Sequence, residues 1–424
     1  MPTFQTVRGM RDLLPGEAET LNFVISKARE TAQLYGYKEV VTPVIEPYEL
    51  LSAKSGDEIR SRMFIFKDLG DRAVALRPEF TASIARLASK VLKTEPKPLR
   101  IFSVGSVYRY DEPQRGRYRE FWQSNFELMG SDKPEADAEA ILLTNSIMKA
   151  TGLCGYTFKI GHIGVIRGIL SSEYVDENVQ NAVLQLMDKK EYCKALKLVK
   201  QKNCRTTLQG LLEFKGDTPF ETAEKIRDHV TGYKKAEVAA ENLLEVLKLV
   251  TKSGCPVETV EPAFARGLEY YTGIIFEVSV PELDVALGGG GRYDRLVEVC
   301  GGESTPAVGV AHGLDRIGIA MQMQKTALPV RREKNAVVIP VKPELKSEAF
   351  KISQMLREAG ISVEFEVMGR KMAKALEDAD RRKVDYAVIV GERELKEAAV
   401  VVRDLTKRKQ IKVKIAKLPE KIKG

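Results

Sequence analysis

Four consecutive glycines at positions 288–291, followed at once by Arg292, Tyr293 and Asp294, constrain this chain more than any other stretch. Such a run loses much backbone entropy on folding and contributes no side-chain packing. It suits a place where one backbone lies close against a ligand or another backbone. The run closes a longer segment, residues 266–294. That segment opens with Arg266, Tyr270 and Tyr271 and passes through the apolar, strand-like IIFEV. Taken alone, it fits two readings. One is a ligand pocket ringed by Arg, Tyr, Glu and Asp; the other is a β-hairpin with a glycine-rich turn and a charged rim.

A chain of 424 residues has room for two or three domains, each large enough to bury a core. With 44% hydrophobic and 30% charged residues it reads as globular rather than disordered. No apolar run approaches the roughly 18 residues that span a bilayer. The N-terminal MPTFQTVRGMRDLLPGE carries no apolar signal core. The expectation is a cytoplasmic protein with no membrane partner. Cys154, Cys193, Cys204, Cys255 and Cys300 are scattered, and His162, His229 and His312 are dispersed. Neither a disulfide framework nor a metal centre is expected. Charge is uneven: residues 331–424 hold 24 Lys+Arg against 15 Asp+Glu, which exceeds the +8 of the whole chain. A basic tail of this kind points to an anionic partner such as nucleic acid, or to a merely solvated basic surface.

Periodicity divides the rest. Residues 17–36 have helical spacing, and TPVIEP follows, with Pro43 suited to an edge or interface strand. AVALRPEFTASIARL reads as strand, loop and helix, with Glu79 and Thr81 at the junction. LRIFSVGSVYRY and YREFWQSNFELMG read as two strands around a polar turn. Alternation in the second puts Gln123, Asn125 and Glu127 on one face. Polar side chains in that pattern make either a binding floor or the wet edge of a hairpin. Residues 167–259 read as successive amphipathic helices, an insertion into a sheet domain. AVGVAHGLDRIGIAM is a strand running into a helix, with Arg316 near its N-terminus. Positive charge is unfavourable there, so an arginine at that place serves something anionic or an acidic neighbour. After a linker at 325–335, alternating strands and helices predict a small, mostly parallel α/β domain.

No phosphate-cradling glycine loop of the G-x-x-x-x-G-K-[ST] or G-x-G-x-x-G kind is present. A nucleotide would have to be held by guanidinium groups, whose planar forks match phosphate oxygens. HIGV at 162–165 and KMAKA at 371–375 resemble the HIGH and KMSKS signatures of class I aminoacyl-tRNA synthetases. Both depart at diagnostic positions and are read as coincidence.

The closer resemblance is to class II aminoacyl-tRNA synthetases, and within them to the histidyl-tRNA synthetases. TPVIEP resembles motif 1, YRYDEPQRGRYREFWQSNFELMG motif 2 and AVGVAHGLDRI motif 3. RGLEYYTGIIFE and GGGGRYD resemble the two segments that mark the histidine enzymes. The resemblance implies an α+β catalytic domain built on an antiparallel sheet, in two parts (1–166 and 260–324). Between them lies a helical insertion at 167–259 that contacts the tRNA acceptor stem. A linker at 325–335 leads to an α/β anticodon-binding domain at 336–424. The implied activity is ATP-dependent activation of histidine and its transfer to tRNA(His) by a homodimer, with Mg²⁺ on the phosphates. Glu79, Thr81 and Gln123 are the implied partners of the α-amino and carboxylate groups. Glu127 and Tyr271 would read the imidazole, with Tyr270 and Tyr293 lining its pocket. Arg109, Arg117 and Arg316 would hold ATP, and Arg266 would bridge the histidine carboxylate and the α-phosphate. Phe80 stands where many members have a smaller residue. A non-catalytic paralogue resembling the regulatory subunit of ATP phosphoribosyltransferase is the first rival. A class II enzyme for proline or threonine is the second.

Overall fold

The computed structural model describes residues 4–53, 56–214, 216–264, 270–328 and 334–423. Arg266 therefore lies outside the described residues. The chain divides into two units, residues 1–328 and 329–424, each with its own sheet.

The first unit begins with helix α1 (Pro15–Leu34), which buries Leu21, Val24, Ile25, Ala28 and Ala32 along one helical stripe. Short strands β1 (Lys38–Glu39) and β2 (Ile45–Pro47) follow, then helices α2 (Tyr48–Ser52) and α3 (Asp57–Arg60). Strands β3 (Ile65–Lys67) and β4 (Ala73–Leu76) pair with β2 in a small three-stranded sheet. Pro43 lies just ahead of β2, outside the strand itself. Helix α4 (Thr81–Lys90) leads to the long hairpin β5 (Leu99–Tyr108) and β6 (Glu120–Met129). Then come α5 (Pro134–Ala150) and β7 (Thr157–His162).

Six helices follow β7: α6 (Ile163–Ser172), α7 (Glu177–Asp188), α8 (Tyr192–Leu198), α9 (Lys202–Leu212), α10 (Pro219–His229) and α11 (Lys234–Lys252). The chain returns to the sheet as β8 (Val257–Val260), which pairs parallel with β7. The helical run thus starts inside Ile163–Ser172, a few residues before 167. Strands β9 (Ile274–Ser279) and β10 (Gly288–Arg292), short helix α12 (Leu296–Val299), β11 (Ala307–Gly313) and α13 (Leu314–Met323) complete the unit. The main sheet has eight strands in the order β1-β5-β6-β11-β10-β9-β7-β8, antiparallel except at its two edges.

The glycine run is therefore neither a loop nor a turn. It is a fully buried strand between β9 and β11. Glycine weakens a strand, and close backbone approach is the compensation. A Cβ on Gly290 would stand 2.0 Å from the carbonyl oxygen of Gly309. The strand ends in Arg292, whose guanidinium is buried against Asp137 (2.9 Å) and also meets Asp294 (3.1 Å) and the carbonyl of Ser131 (2.9 Å). This cluster clamps β10 to the first turn of α5.

The second unit is a five-stranded sheet, β12 (Asn335–Pro340), β13 (Ser362–Phe365), β14 (Tyr386–Val390), β15 (Ala399–Asp404) and β16 (Lys409–Lys414), ordered β13-β12-β14-β15-β16. β13, β12 and β14 are parallel, and β15 and β16 antiparallel. The parallel part is thus half of the sheet. Along β12, Ala336 and Val338 face the core shared with α14 (Lys346–Glu358), while Val337 and Ile339 face α15 (Met372–Arg381). Burial on both faces explains the uninterrupted apolar run AVVI. KMAKA of the sequence lies at the start of α15. Short helices α16 (Glu392–Lys396) and α17 (Leu418–Lys423) close the unit.

Because the Arg292–Asp137 pair is buried, removing one partner leaves the other uncompensated. Arg292→Met should lower the unfolding free energy by about 3–5 kcal/mol in urea titration. A loss below about 1 kcal/mol would mean that the clamp does not hold the strand.

Candidate active site

Strand β6 supplies the floor. Gln123, Asn125 and Glu127 share one face, and the register shows what surrounds each. Gln123 lies between Gly105 and Gly313; Asn125 lies between Ser103 and Ala311, with Gly289 beyond; Glu127 is beside Gly309, with Gly291 beyond. Small residues on β11 and β10 thus hollow out the sheet on one side of each polar side chain. A Cβ on Gly309 would lie 1.6 Å from Glu127 Oε2, so only glycine admits the carboxylate there.

Glu127 is wholly buried. The Thr81 hydroxyl donates to its Oε1 (2.7 Å) and the Tyr293 hydroxyl donates to its Oε2. Burial pushes its carboxyl up to about 8 against the hydrogen bonds from Tyr293 and Thr81, and neighbouring Glu79 pushes in the same direction as burial. Glu79 accepts from the backbone N–H groups of Thr81 (2.5 Å) and Ala82 (3.0 Å), so its carboxylate caps α4. Asn125 Nδ2 donates to Thr81 Oγ1 (3.3 Å). The amide oxygens of Gln123 and Asn125 are buried and have no hydrogen-bond partner among the described residues. Together with Glu79 they make one end of the site rich in acceptors, a setting for an ammonium group.

Tyr270, Tyr271 and Tyr293 cover this end. Tyr270 sits edge-on to Tyr271 (5.0 Å between ring centres) and to Tyr293 (5.6 Å). Burial, then the charge of Glu79, raises the Tyr270 hydroxyl well above its ordinary pKa. Tyr293 is raised likewise, by burial and by Glu127. Tyr293, assigned from sequence to the pocket wall, is the direct partner of Glu127. Asn125 was visible in the alternation but was not singled out. Phe80 is buried under the Arg77 guanidinium (4.2 Å from the ring centre) and beside Gly105. Arg77 in turn donates to the carbonyls of Thr42 (2.8 Å) and Ser106 (3.0 Å), fastening the Pro43 segment to β5.

The other end of the cleft is cationic. Arg109, Arg117 and Arg316 line it together with Arg62 and Phe121, and the cavity amounts to about 370 Å³. Arg109 Nε donates to the carbonyl of Pro78 (2.9 Å). Arg316, in the first turn of α13, donates to the carbonyls of Gly116 and Ala286 (2.9 Å each), which fixes it across the turn between β5 and β6. Arg117 is exposed at the rim. Asp188, the last residue of α7, and Glu277 also border the cleft. Acceptors at one end and three arginines at the other make a site for a zwitterion beside a polyphosphate.

His162, in the HIGV segment, is instead buried where β7 meets α6, and burial pushes it down to about 4. KMAKA belongs to the other unit.

The family model described as histidyl-tRNA synthetase matches residues 9–317, and the one described as an anticodon binding domain matches residues 335–424. The chain belongs to the histidyl-tRNA synthetase family. It is 40% identical over 407 residues to the histidine–tRNA ligase of Methanocaldococcus jannaschii, with 95% of each chain covered. It is 36% identical over 430 residues to that of Saccharolobus solfataricus, covering 100% of this chain and 99% of the relative. Among solved structures, the histidyl-tRNA synthetase of a Nostoc species matches with a TM-score of 0.77 at 23% identity, over 100% of this chain and 99% of that one. That likeness establishes the fold. Matches across both units agree with the class II architecture and the C-terminal α/β domain that the sequence motifs implied.

The raised carboxyl of Glu127 has a consequence for stability. Its folded pKa, about 8, exceeds the unfolded value of 4.5, so the folded state binds more protons in between. Stability should therefore fall as pH rises from about 4.5 to 8. In Glu127→Gln that fraction of the slope should vanish. Identical pH profiles of Tm for the two proteins would show that Glu127 does not titrate there.

Proposed function

We propose that this chain is a histidine–tRNA ligase that works through the cleft described above. The observation that carries the reading is the pairing of an acceptor-rich pocket over a buried carboxylate with three arginines a short way along the same cleft. The α-amino group of histidine meets Glu79, Thr81 and the unpaired amide oxygens of Gln123 and Asn125. The imidazole has one donor and one acceptor nitrogen, which a carboxyl and a phenol satisfy, here Glu127 with Tyr271 or Tyr293. Glu127 is wholly buried, with the Tyr293 hydroxyl on its carboxylate and the Tyr270 ring packed against Tyr293. A pocket built this way rejects apolar amino acids, since they leave its buried groups unpaired.

Arg109, Arg117 and Arg316 hold the ATP phosphates. The histidine carboxylate attacks the α-phosphate in line, forming a P–O bond as pyrophosphate leaves. Arg266 stabilises the charge that develops on the α-phosphate. The terminal ribose hydroxyl of tRNA(His) then attacks the adenylate carbonyl and releases AMP. Among the described residues no three His, Cys, Asp or Glu side chains group together to hold a metal. Mg²⁺ would enter with the nucleotide and neutralise charge on its phosphates. Positioning and charge neutralisation suffice for such transfers.

The helical insertion meets the acceptor stem and the basic second unit the anticodon. Exposed Val41, Ile45, Ile65, Phe66 and Leu69, on and around the small sheet, suit a homodimer contact. No helix of the described residues is long and apolar enough to cross a membrane.

Purified protein should catalyse ATP–pyrophosphate exchange that depends on L-histidine. Exchange with proline or threonine instead would replace the substrate, and none with any amino acid would favour the regulatory paralogue. Arg266→Ala should lower exchange about 10²–10³-fold with an unchanged Tm; wild-type activity would remove its role. Gly309→Ala, which displaces Glu127, should raise KM for histidine by about tenfold or more while KM for ATP stays near wild type. An equal rise in both would place Glu127 outside histidine recognition.

A further inference from the structure

We propose that Arg11, in the segment ahead of α1, is a positioning residue for the nucleotide end of the cleft. This rests on the ligase reading and deepens it: one guanidinium presets both the turn that carries Arg117 and the helix that carries Arg316. The turn between β5 and β6, residues 109–119, brings Arg109 and Arg117 to the cleft. Its middle, DEPQRGR, is polar. Such a turn, left to itself, loses conformational entropy when a ligand orders it, and that loss weakens binding.

The N-terminal segment removes that freedom from outside. The backbone N–H of Arg119 donates to the carbonyl of Gly9 (2.9 Å). A Cβ on Gly9 would stand 2.7 Å from Arg119 Cγ, so the segment lies directly against the turn. Arg8 pairs with Glu112 at the surface. Arg11 makes two contacts. Its guanidinium lies over the ring of Tyr118 (3.7 Å to the centre), the residue after Arg117, and pairs with Asp315, the residue before Arg316. The Asp315 side chain is buried, and its other oxygen accepts from the backbone N–H of Trp122 on β6 (2.6 Å).

The placement separates positioning from direct contact. Arg11, Tyr118 and Asp315 border a cavity of about 170 Å³ that shares no lining residue, among those described, with the cleft of Arg109, Arg117 and Arg316. Arg11 therefore acts through its neighbours. Arg316 donates to the carbonyl of Gly116 (2.9 Å), so the turn and the head of α13 are tied together on the cleft side, and Arg11 ties them again on the outer side. Cations fixed before the triphosphate arrives need no reorganisation as charge develops on it, which is what makes them effective.

The test compares full-length Arg11→Met, which keeps an apolar stem over Tyr118 without the charge, with Arg11→Lys, which keeps the charge without the planar fork. The control is Arg100→Met, which breaks the pair with Glu139 (2.8 Å) between β5 and α5. In pyrophosphate exchange, Arg11→Met should raise KM for ATP about tenfold and lower kcat about tenfold, while KM for histidine stays within about twofold. Arg11→Lys should recover most of the loss, and the control should match wild type in KM for ATP. Deuterium uptake over residues 109–119 should quicken in Arg11→Met alone. A wild-type KM for ATP in Arg11→Met would overturn the assignment, as would an equal rise for histidine or the same rise in the control. Should Arg11→Met not fold, Arg11→Lys decides: its KM for ATP should rise about threefold, and the wild-type value would overturn the assignment. Should wild type show no pyrophosphate exchange, the ligase reading fails by itself; unchanged deuterium uptake over 109–119 would then overturn the role of Arg11, and quickened uptake would uphold it.

Discussion

Everything at the acceptor-rich end of this cleft depends on one carboxyl group kept out of water. Glu127 is held by hydroxyls from two parts of the chain distant from it, Thr81 at the head of α4 and Tyr293 at the end of β10. Burying a carboxyl costs free energy that hydrogen bonds only partly offset, and its pKa of about 8 is the trace of that cost. Such a group is sensitive to whichever partner completes it. It can accept from an imidazole N–H when ionised or donate to the bare nitrogen when protonated.

The surrounding architecture keeps that carboxyl in place. Gly309 and Gly291 leave out the side chains that would displace it. Arg292 ties the end of the glycine strand to Asp137, one residue before the tyrosine that touches Glu127. Behind the sheet His312 bridges the Ser124 hydroxyl (3.1 Å) and the Thr144 hydroxyl (3.0 Å), joining β6 to α5 through β11. Burial pushes that imidazole down to about 3, so it stays neutral and the bridge holds across the physiological range. The floor of the cleft and the sheet packing are thus opposite faces of the same three strands.

Much of this was legible in the residues. A period of two along FWQSNFEL placed Gln123, Asn125 and Glu127 on one face, and the strand bears it out. The alternating elements after residue 335 gave the second sheet, though its last two strands run antiparallel. The glycine run was ambiguous because glycine has low strand propensity and nothing local marks it as central. Its strand character comes from Gly309 and Ile275, which pair with Gly291 across the sheet. The Arg292–Asp137 clamp joins residues 155 apart and leaves no local pattern. Tyr293 as the direct partner of Glu127, and the backbone carbonyls that anchor Arg316, likewise depend on three-dimensional neighbours that spacing cannot reveal.

The central claim is that Glu127 reads the imidazole of histidine. A crystal structure of the protein with L-histidine bound tests it most directly. An imidazole nitrogen should lie within about 3.2 Å of a Glu127 carboxyl oxygen, with the α-amino group against Glu79 and Thr81. Histidine bound with its ring elsewhere in the cleft, and neither imidazole nitrogen near Glu127, would contradict the account.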